Sequence, residues 1–410
     1  MNLVQVTLDS ISIGQRLPFS LRDETGVLLA RKGFIIASRD DLEVLRGRGQ
    51  GFYVDVSESE RHQKAFVGKL FDLVRDDRPL GKIATANLTT RDLGELRGNS
   101  AGDDSSWPDL QLQGNRLLRE QQSDSFPAEL ERLQSRLERQ THGNPDGALF
   151  ALFHLAGSEI SLYSATHAML VSVMCALAAR EVLRWPAQQE AILCKAALTM
   201  NLGMTALQDR LATQREAPTQ EQRTLITQHP ERSVALLRQM GVHDDAWLEA
   251  VRDHHRSQPG SLRERPLGQA MARLIQRADA FAARLSPRAS RGPAAATTAM
   301  QACYYDENRQ IDEAGAALIK AVGVYSPGSL VRLVSHEIGI VVRRGANTTT
   351  PRVAVLVNRE GMATGENVLR DTSQREWRIE ASVPRHDCKV KINLDRMLAL
   401  TGGPPSNRFG

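Results

Sequence analysis

Residues 163–180 read YSATHAMLVSVMCALAAR, an almost unbroken apolar run with one imidazole inside it and neither glycine nor proline. Such a run is either a membrane span or the central helix of a packed bundle. Its apolar centre, residues 168–179, covers about two-thirds of the length that a bilayer crossing requires. A buried bundle helix is therefore expected, with His167 on the same face as Val171 and Met174, four and seven residues on.

The helical pattern extends outward from this segment. Between residues 127 and about 346 it opens on Pro127 as a first-turn proline and continues with Leu130, Leu133 and Leu137 at helical spacing. Repeated Ala/Leu/Met-rich segments follow. The tail changes character: residues 331–342 and 352–357 are β-branched runs separated by residues 345–351, and EWRIEASV and CKVKINL read as two further strands. At the other end, LVQVTL, QRLPFSL and GVLLARKGFII surround Asp23-Glu24-Thr25-Gly26, a hairpin signal. Ser38 precedes DDLEVLRGRG with Asp41 three residues on, Leu42 and Leu45 as the apolar face and Gly47 as the stop, and FYVDV supplies a last strand.

Residues 58–77 read as a charged connector helix with Phe66, Leu70 and Leu73 on one side. Residues 94–106 read as a flexible linker, and WPDLQLQGNRLLR as a short β-like piece. The expected organisation is a β-rich module over 1–57, a connector and linker over 58–125, a helical domain over 126–330 and a β extension over 331–402. The fold class is mainly α, with small β modules at each end.

Composition narrows the function. The 410 residues carry 52 basic and 48 acidic side chains, a net charge of only +4, and 5% aromatics. A polycationic footprint for a nucleic-acid polymer and a stacking platform for bases are both excluded as expectations. Cys175, Cys194, Cys303 and Cys388 have no C-x-x-C spacing and read as reduced thiols. With no basic-then-apolar leader in MNLVQVTLDS and no membrane span, the expected location is the cytoplasm.

Five residues stand out as a constellation. His167 lies in the apolar run, His229 opens HPERSVALLRQMG, His254 and His255 close WLEAVRDHH, and Asp279 sits within LIQRADAFAARLSPR. Histidines on successive helices with an aspartate on another is how a bundle builds a metal site. The alternative is that each is a polar residue satisfied elsewhere, which is the reading adopted for His243 and His386. His336-Glu337 has no second histidine at zinc-protease spacing and falls in a strand-like run. Arg132 and Arg136 read as the solvated face of the leucine helix.

The order of these words resembles the HD-GYP branch of the HD hydrolase superfamily, bacterial phosphodiesterases that open cyclic di-GMP at a two- or three-metal site in a helical bundle. The resemblance covers about residues 145–360: YSATH, KAALTMNLGM in place of an AALLHDIGK-like run, TQHPERSVALL, AVRDHH, RADAFAARLSPRASR, and VGVYSPGSLVRLVSHEIGIVVRRG as an extension. It implies an HD-type helical bundle and carries His167, His229, His254, His255 and Asp279 over as metal ligands. Where the signature His-Asp pair belongs, this chain has Met200 and Asn201, and where the lysine belongs it has Met204. Tyr163 stands where metal-rich members supply a glutamate, and no Gly-Tyr-Pro follows His255.

In the family the missing aspartate bridges two divalent ions and holds the attacking hydroxide between them. Asn201 offers an oxygen without a charge, and Met200 a soft thioether ill-matched to iron, manganese or magnesium. The expectation is therefore no metal, or one Fe, Mn or Zn, in a catalytically degenerate signalling or scaffold protein with a protein partner. Arg256, Arg263 and Arg265 are candidate contacts for an acidic partner. Two alternatives stay open. One is an active cyclic di-GMP phosphodiesterase with an altered ligand set. The other is a non-hydrolysing nucleotide sensor using Arg288 and Arg291 as phosphate donors.

Overall fold

The computed structural model describes residues 3–6, 11, 13–17, 19–47, 51–55, 106–120, 125–158, 162–257, 259–290, 292, 294–365 and 368–402. The connector helix expected over 58–77 lies outside them, as does the linker expected over 94–106 apart from Ser106. Contacts divide the chain into residues 1–112 and 113–410.

The first unit is built on four strands, β1 (Leu3–Val6), β2 (Leu21–Arg22), β3 (Leu28–Ala30) and β4 (Phe52–Asp55), in the antiparallel order β1-β4-β2-β3. The hairpin between β2 and β3 turns where expected. The Asp23 carboxylate accepts from the backbone N–H groups of Thr25 (2.8 Å) and Val27 (2.9 Å), and Gly26 takes φ +84°. Helix α1 (Arg39–Arg46) starts at a reciprocal capping box between Ser38 and Asp41 and ends at Gly47. Leu45 is fully buried beneath it.

One expectation is corrected here: WPDLQLQGNRLLR is not β-like but forms helix α2 (Trp107–Arg119). Ser106 and Asp109 make a second capping box, with Ser106 N donating to the Asp109 carboxylate (3.0 Å) and Asp109 N to the Ser106 hydroxyl (3.3 Å). The Leu-Gln alternation does not select a face, because Leu110, Gln111 and Leu112 are all buried.

In the second unit, α3 (Phe126–Gly143), α4 (Pro145–Ser158), α5 (Tyr163–Leu177), α6 (Ala187–Thr199), α7 (Thr205–Thr213), α8 (Gln220–Gln239), α9 (Asp245–Asp253), α10 (Leu267–Leu285), α11 (Ala296–Tyr304) and α12 (Glu313–Val322) form the bundle. Helix α5 is its axis, packed against α4, α6 and α10, and every one of its residues is buried. It runs on as a π-helical turn to Leu183, where Arg184 stops it at φ +57°. The continuous segment Tyr163–Leu183 is long and apolar enough to cross a membrane by composition, but 78% of its apolar window is buried inside the bundle. That burial identifies it as a core helix.

The helices end at Val322, earlier than residue 346, and a five-stranded antiparallel sheet follows: β5 (Leu330–Leu333), β6 (Ile338–Arg343), β7 (Arg352–Val357), β8 (Leu369–Asp371) and β9 (Ile379–Ser382), in the order β8-β7-β6-β5-β9. EWRIEASV supplies β9, whereas CKVKINL is not a strand. Its Cys388 and Ile392 bury and its lysines face solvent, but it pairs with no neighbour, and Asn393 caps a short helix, α13 (Leu394–Leu398). His336 also departs from expectation. It takes φ +67° in the tight turn between β5 and β6, where its N–H donates to Leu333 O. Arg344, just beyond β6, is buried and pairs with Asp146 of α4 and Glu181 of the π turn (2.9 Å), tying sheet to bundle.

Candidate metal centre

Two histidine rings define the centre of the site, and the backbone aims both. His229 lies inside α8 and is followed by Pro230, which has no N–H to donate to the carbonyl of Ile226 four residues back. The His229 Nδ1–H takes that freed carbonyl instead. His254 caps the C-terminus of α9, where the last carbonyls have no helical partner, and its Nδ1–H donates to Val251 O at 2.7 Å. With both Nδ1 atoms protonated, both Nε2 atoms present lone pairs, and these face each other at 3.2 Å. His255 completes a trio whose ligand atoms all lie within 4.8 Å of one another.

Electrostatics keep the pair neutral. Burial pushes His254 down to about 3, reinforced by His255 and His229, and pushes His229 down to about 4. Two opposed, unprotonated nitrogens repel unless a cation lies between them. Zinc–imidazole bonds of about 2.0–2.1 Å in a tetrahedral shell put neighbouring nitrogens a little over 3 Å apart. The donor set therefore fits one transition-metal ion on His229, His254 and His255.

His167 and Asp279 form a second pair beside this trio. His167 Nε2 meets Asp279 Oδ1 at 2.7 Å, bridging α5 and α10. Burial works against the Asp279 carboxylate, but the hydrogen bond from His167 holds it below the usual range. The His167 Nδ1 is buried with no partner among the described residues. Tyr163, one turn earlier, stacks on the His167 ring (5.6 Å between centroids, 8° between planes), and Arg288 lies over Tyr163 and donates to its hydroxyl at 3.1 Å. Arg291 lies outside the described residues.

Met200, fully buried, and Asn201 follow the C-terminus of α6. Ser233 fixes this bend against α8: its hydroxyl donates to Met200 O (3.0 Å) and accepts from Gly203 N (2.8 Å). A Cβ on Gly203 would lie 2.8 Å from His229 O, so glycine lets the bend close on the helix turn that holds His229. A dinuclear centre does not fit these residues. Asp279 is the one carboxylate in the set, against four positive charges of two divalent ions, and no second carboxylate stands at 200 or 201 to bridge them.

Of the three arginines after His255, Arg256 is paired with Asp253 (3.2 Å), Arg263 is exposed, and Arg265 reaches back to Gly260 O (3.5 Å). His243 is exposed, and the side chain of His386 is not described. The stack of Arg288 on Tyr163 escaped sequence reasoning, since 125 residues separate the two. The aiming of His229 had a visible signal in the His-Pro word inside a helical stretch.

A family model described as HD domain matches residues 154–315. The cyclic di-GMP phosphodiesterase PA4108 of Pseudomonas aeruginosa is 28% identical over 214 residues, 51% of this chain and 51% of that protein, so the chain spans about half the length of that relative. Among solved structures, Bd1817, an HDG"Y"P protein from Bdellovibrio bacteriovorus, aligns over 73% of this chain and 92% of its own at 13% identity, with a TM-score of 0.30. The likeness to an HD domain covers residues 154–315, and over a wider stretch the chain is similar to a cyclic di-GMP phosphodiesterase.

Proposed function

We propose that this chain is a catalytically degenerate HD-GYP protein, a soluble cytoplasmic signalling or scaffold component in a cyclic di-GMP context that no longer hydrolyses the nucleotide. The observation that carries the reading is the buried Met200 followed by Asn201 at the bend where the family's His-Asp pair belongs. A thioether and an amide supply no bridging charge and suit hard divalent ions poorly. A single Fe, Mn or Zn on His229, His254 and His255 would act as a Lewis acid and as a cross-link between α8 and α9. The chain's own residues do the rest. Asp279 faces the imidazoles as the counter-charge, His167 holds Asp279 in place, and Tyr163 buttresses the His167 ring.

A second reading, retention of nucleotide binding without cleavage, is favoured by Arg288. Its guanidinium is held over Tyr163, and its Nε is buried with no partner among the described residues. A phosphate oxygen would satisfy that donor.

The test is incubation of the full chain with cyclic di-GMP in iron- and manganese-supplemented buffer, with products separated by chromatography and binding followed by calorimetry. Intact nucleotide supports the proposal. Linear pGpG or GMP above a His254→Ala, His255→Ala control assigns phosphodiesterase activity instead. Binding without turnover that is lost in Arg288→Met supports the second reading.

A further inference from the structure

Away from His229, His254 and His255, a solvent-open cleft lies between α4, the start of β5 and the segment after β9. Its walls are mixed: Phe153, Leu285, Leu330 and Val383 supply apolar surface, and His154, Ser329 and Arg385 are the polar side chains. Gly328 forms the close approach on one side. It takes φ +92°, and a Cβ there would meet Phe153 Cβ at 3.0 Å, so the β5 end of the cleft sits directly on α4.

Arg385 is half-buried in this cleft, and among the described residues it has no ion-pair or side-chain hydrogen-bond partner. The buried arginines of this unit have carboxylates: Arg344 has Asp146 and Glu181, and Arg273 and Arg277 share Glu307 and Asp312. Desolvation of the Arg385 charge is therefore offset by nothing the described chain supplies. Its neighbour adds no like charge, because burial first and then Arg385 push His154 down to about 4 and leave that ring neutral.

We propose that this cleft binds a small organic anion, a carboxylate or phosphate carried on an apolar body, with Arg385 as its anchor. A guanidinium presents a planar fork of donors that matches either anion. Phe153, Leu285, Leu330 and Val383 accept the apolar body. The walls also include Leu285 and Ala294, the ends of the segment that carries Arg288, and Ala294 N donates to Arg284 O at 2.8 Å. An occupant would thus rest against the base of the segment that reaches Tyr163.

The experiment is calorimetric titration of the full chain in chelator with benzoate and phenyl phosphate as anionic probes and benzamide as the neutral isostere. Both anions should bind wild type, and benzamide should bind at least about tenfold more weakly, the usual scale of a charge-assisted hydrogen bond. Arg385→Met should lose the anions by at least about tenfold while melting no lower than wild type, since it removes an unpaired charge. Arg288→Met should leave their affinity unchanged. A preference between the two probes decides carboxylate against phosphate. The proposal is overturned if neither anion binds, if benzamide binds as tightly, or if Arg385→Met leaves affinity intact. The comparison of anion with benzamide needs no variant, so misfolding of Arg385→Met cannot shield the idea.

Discussion

Removing the Asp279 carboxylate in the presence of chelator isolates the structural work of the pair it forms with His167, because any metal contribution is absent. His167 is 2% exposed and, among the described residues, its Nδ1 has no partner and the 2.7 Å contact with Asp279 is its sole side-chain hydrogen bond. Asp279→Asn keeps an acceptor of the same shape and loses the charge assistance, a cost of about 1–2 kcal/mol. Asp279→Ala leaves a buried imidazole with neither nitrogen paired, a cost of about 3 kcal/mol. For a unit of this size that is a fall of about 5 °C or more in melting temperature. Calorimetry at pH 7 should therefore rank wild type above Asn above Ala. His167→Phe combined with Asp279→Ala should cost less than the two single changes added together. An alanine variant within about 1 °C of wild type, or single costs that add to within about 0.5 kcal/mol, refutes a buried His167–Asp279 pair bridging α5 and α10.

Gly203→Ala places a methyl group against His229 O and Ser233 N, so the bend carrying Met200 must move away from α8. It should destabilise the chain by about 1–3 kcal/mol and weaken binding of Co(II) in a spectroscopic titration. Arg273→Met leaves Asp312, 2% exposed, with Arg277 at 3.3 Å as its one cation among the described residues beside the Gly315 N–H, and urea unfolding should show a loss of about 3 kcal/mol. His154, pushed down to about 4 in the fold, gives an acid-sensitive window. Between its ordinary value near 6.5 and about 4 the unfolded chain binds the extra proton, so this site's contribution is intact above 6.5 and falls as pH drops through that window. His154→Gln should flatten the stability profile there and leave it unchanged above pH 7.

Much of the bundle was legible because its signals are local. The glycine-free run around His167 and the leucines of α3 have helical period, and the Ser38 capping box and the turn at 23–26 have side-chain chemistry that acts within four residues. The errors came where burial is not one-sided. In α2 the alternation of leucine and glutamine imitated a strand, although Ser106 and Asp109 already spelled a capping box. In CKVKINL the alternation is real in burial, but pairing depends on a neighbouring edge that sequence does not display. His336 sat in a β-branched run whose reversal rests on a positive φ at a histidine, a conformation with little local signature. The histidine words were findable from their order along the chain. Their aim was not, since the facing Nε2 atoms depend on two backbone carbonyls, one freed by Pro230 and one by the end of α9.

The central claim, that the bend at Met200 and Asn201 leaves no dinuclear centre, reduces to a count of metal per chain. Elemental analysis of the full chain, purified without chelator after growth in iron- and manganese-supplemented medium, measures that count directly. The account predicts at most one transition-metal ion per chain, lost from a His229→Ala, His254→Ala variant. Two ions per chain, retained through gel filtration, would contradict it.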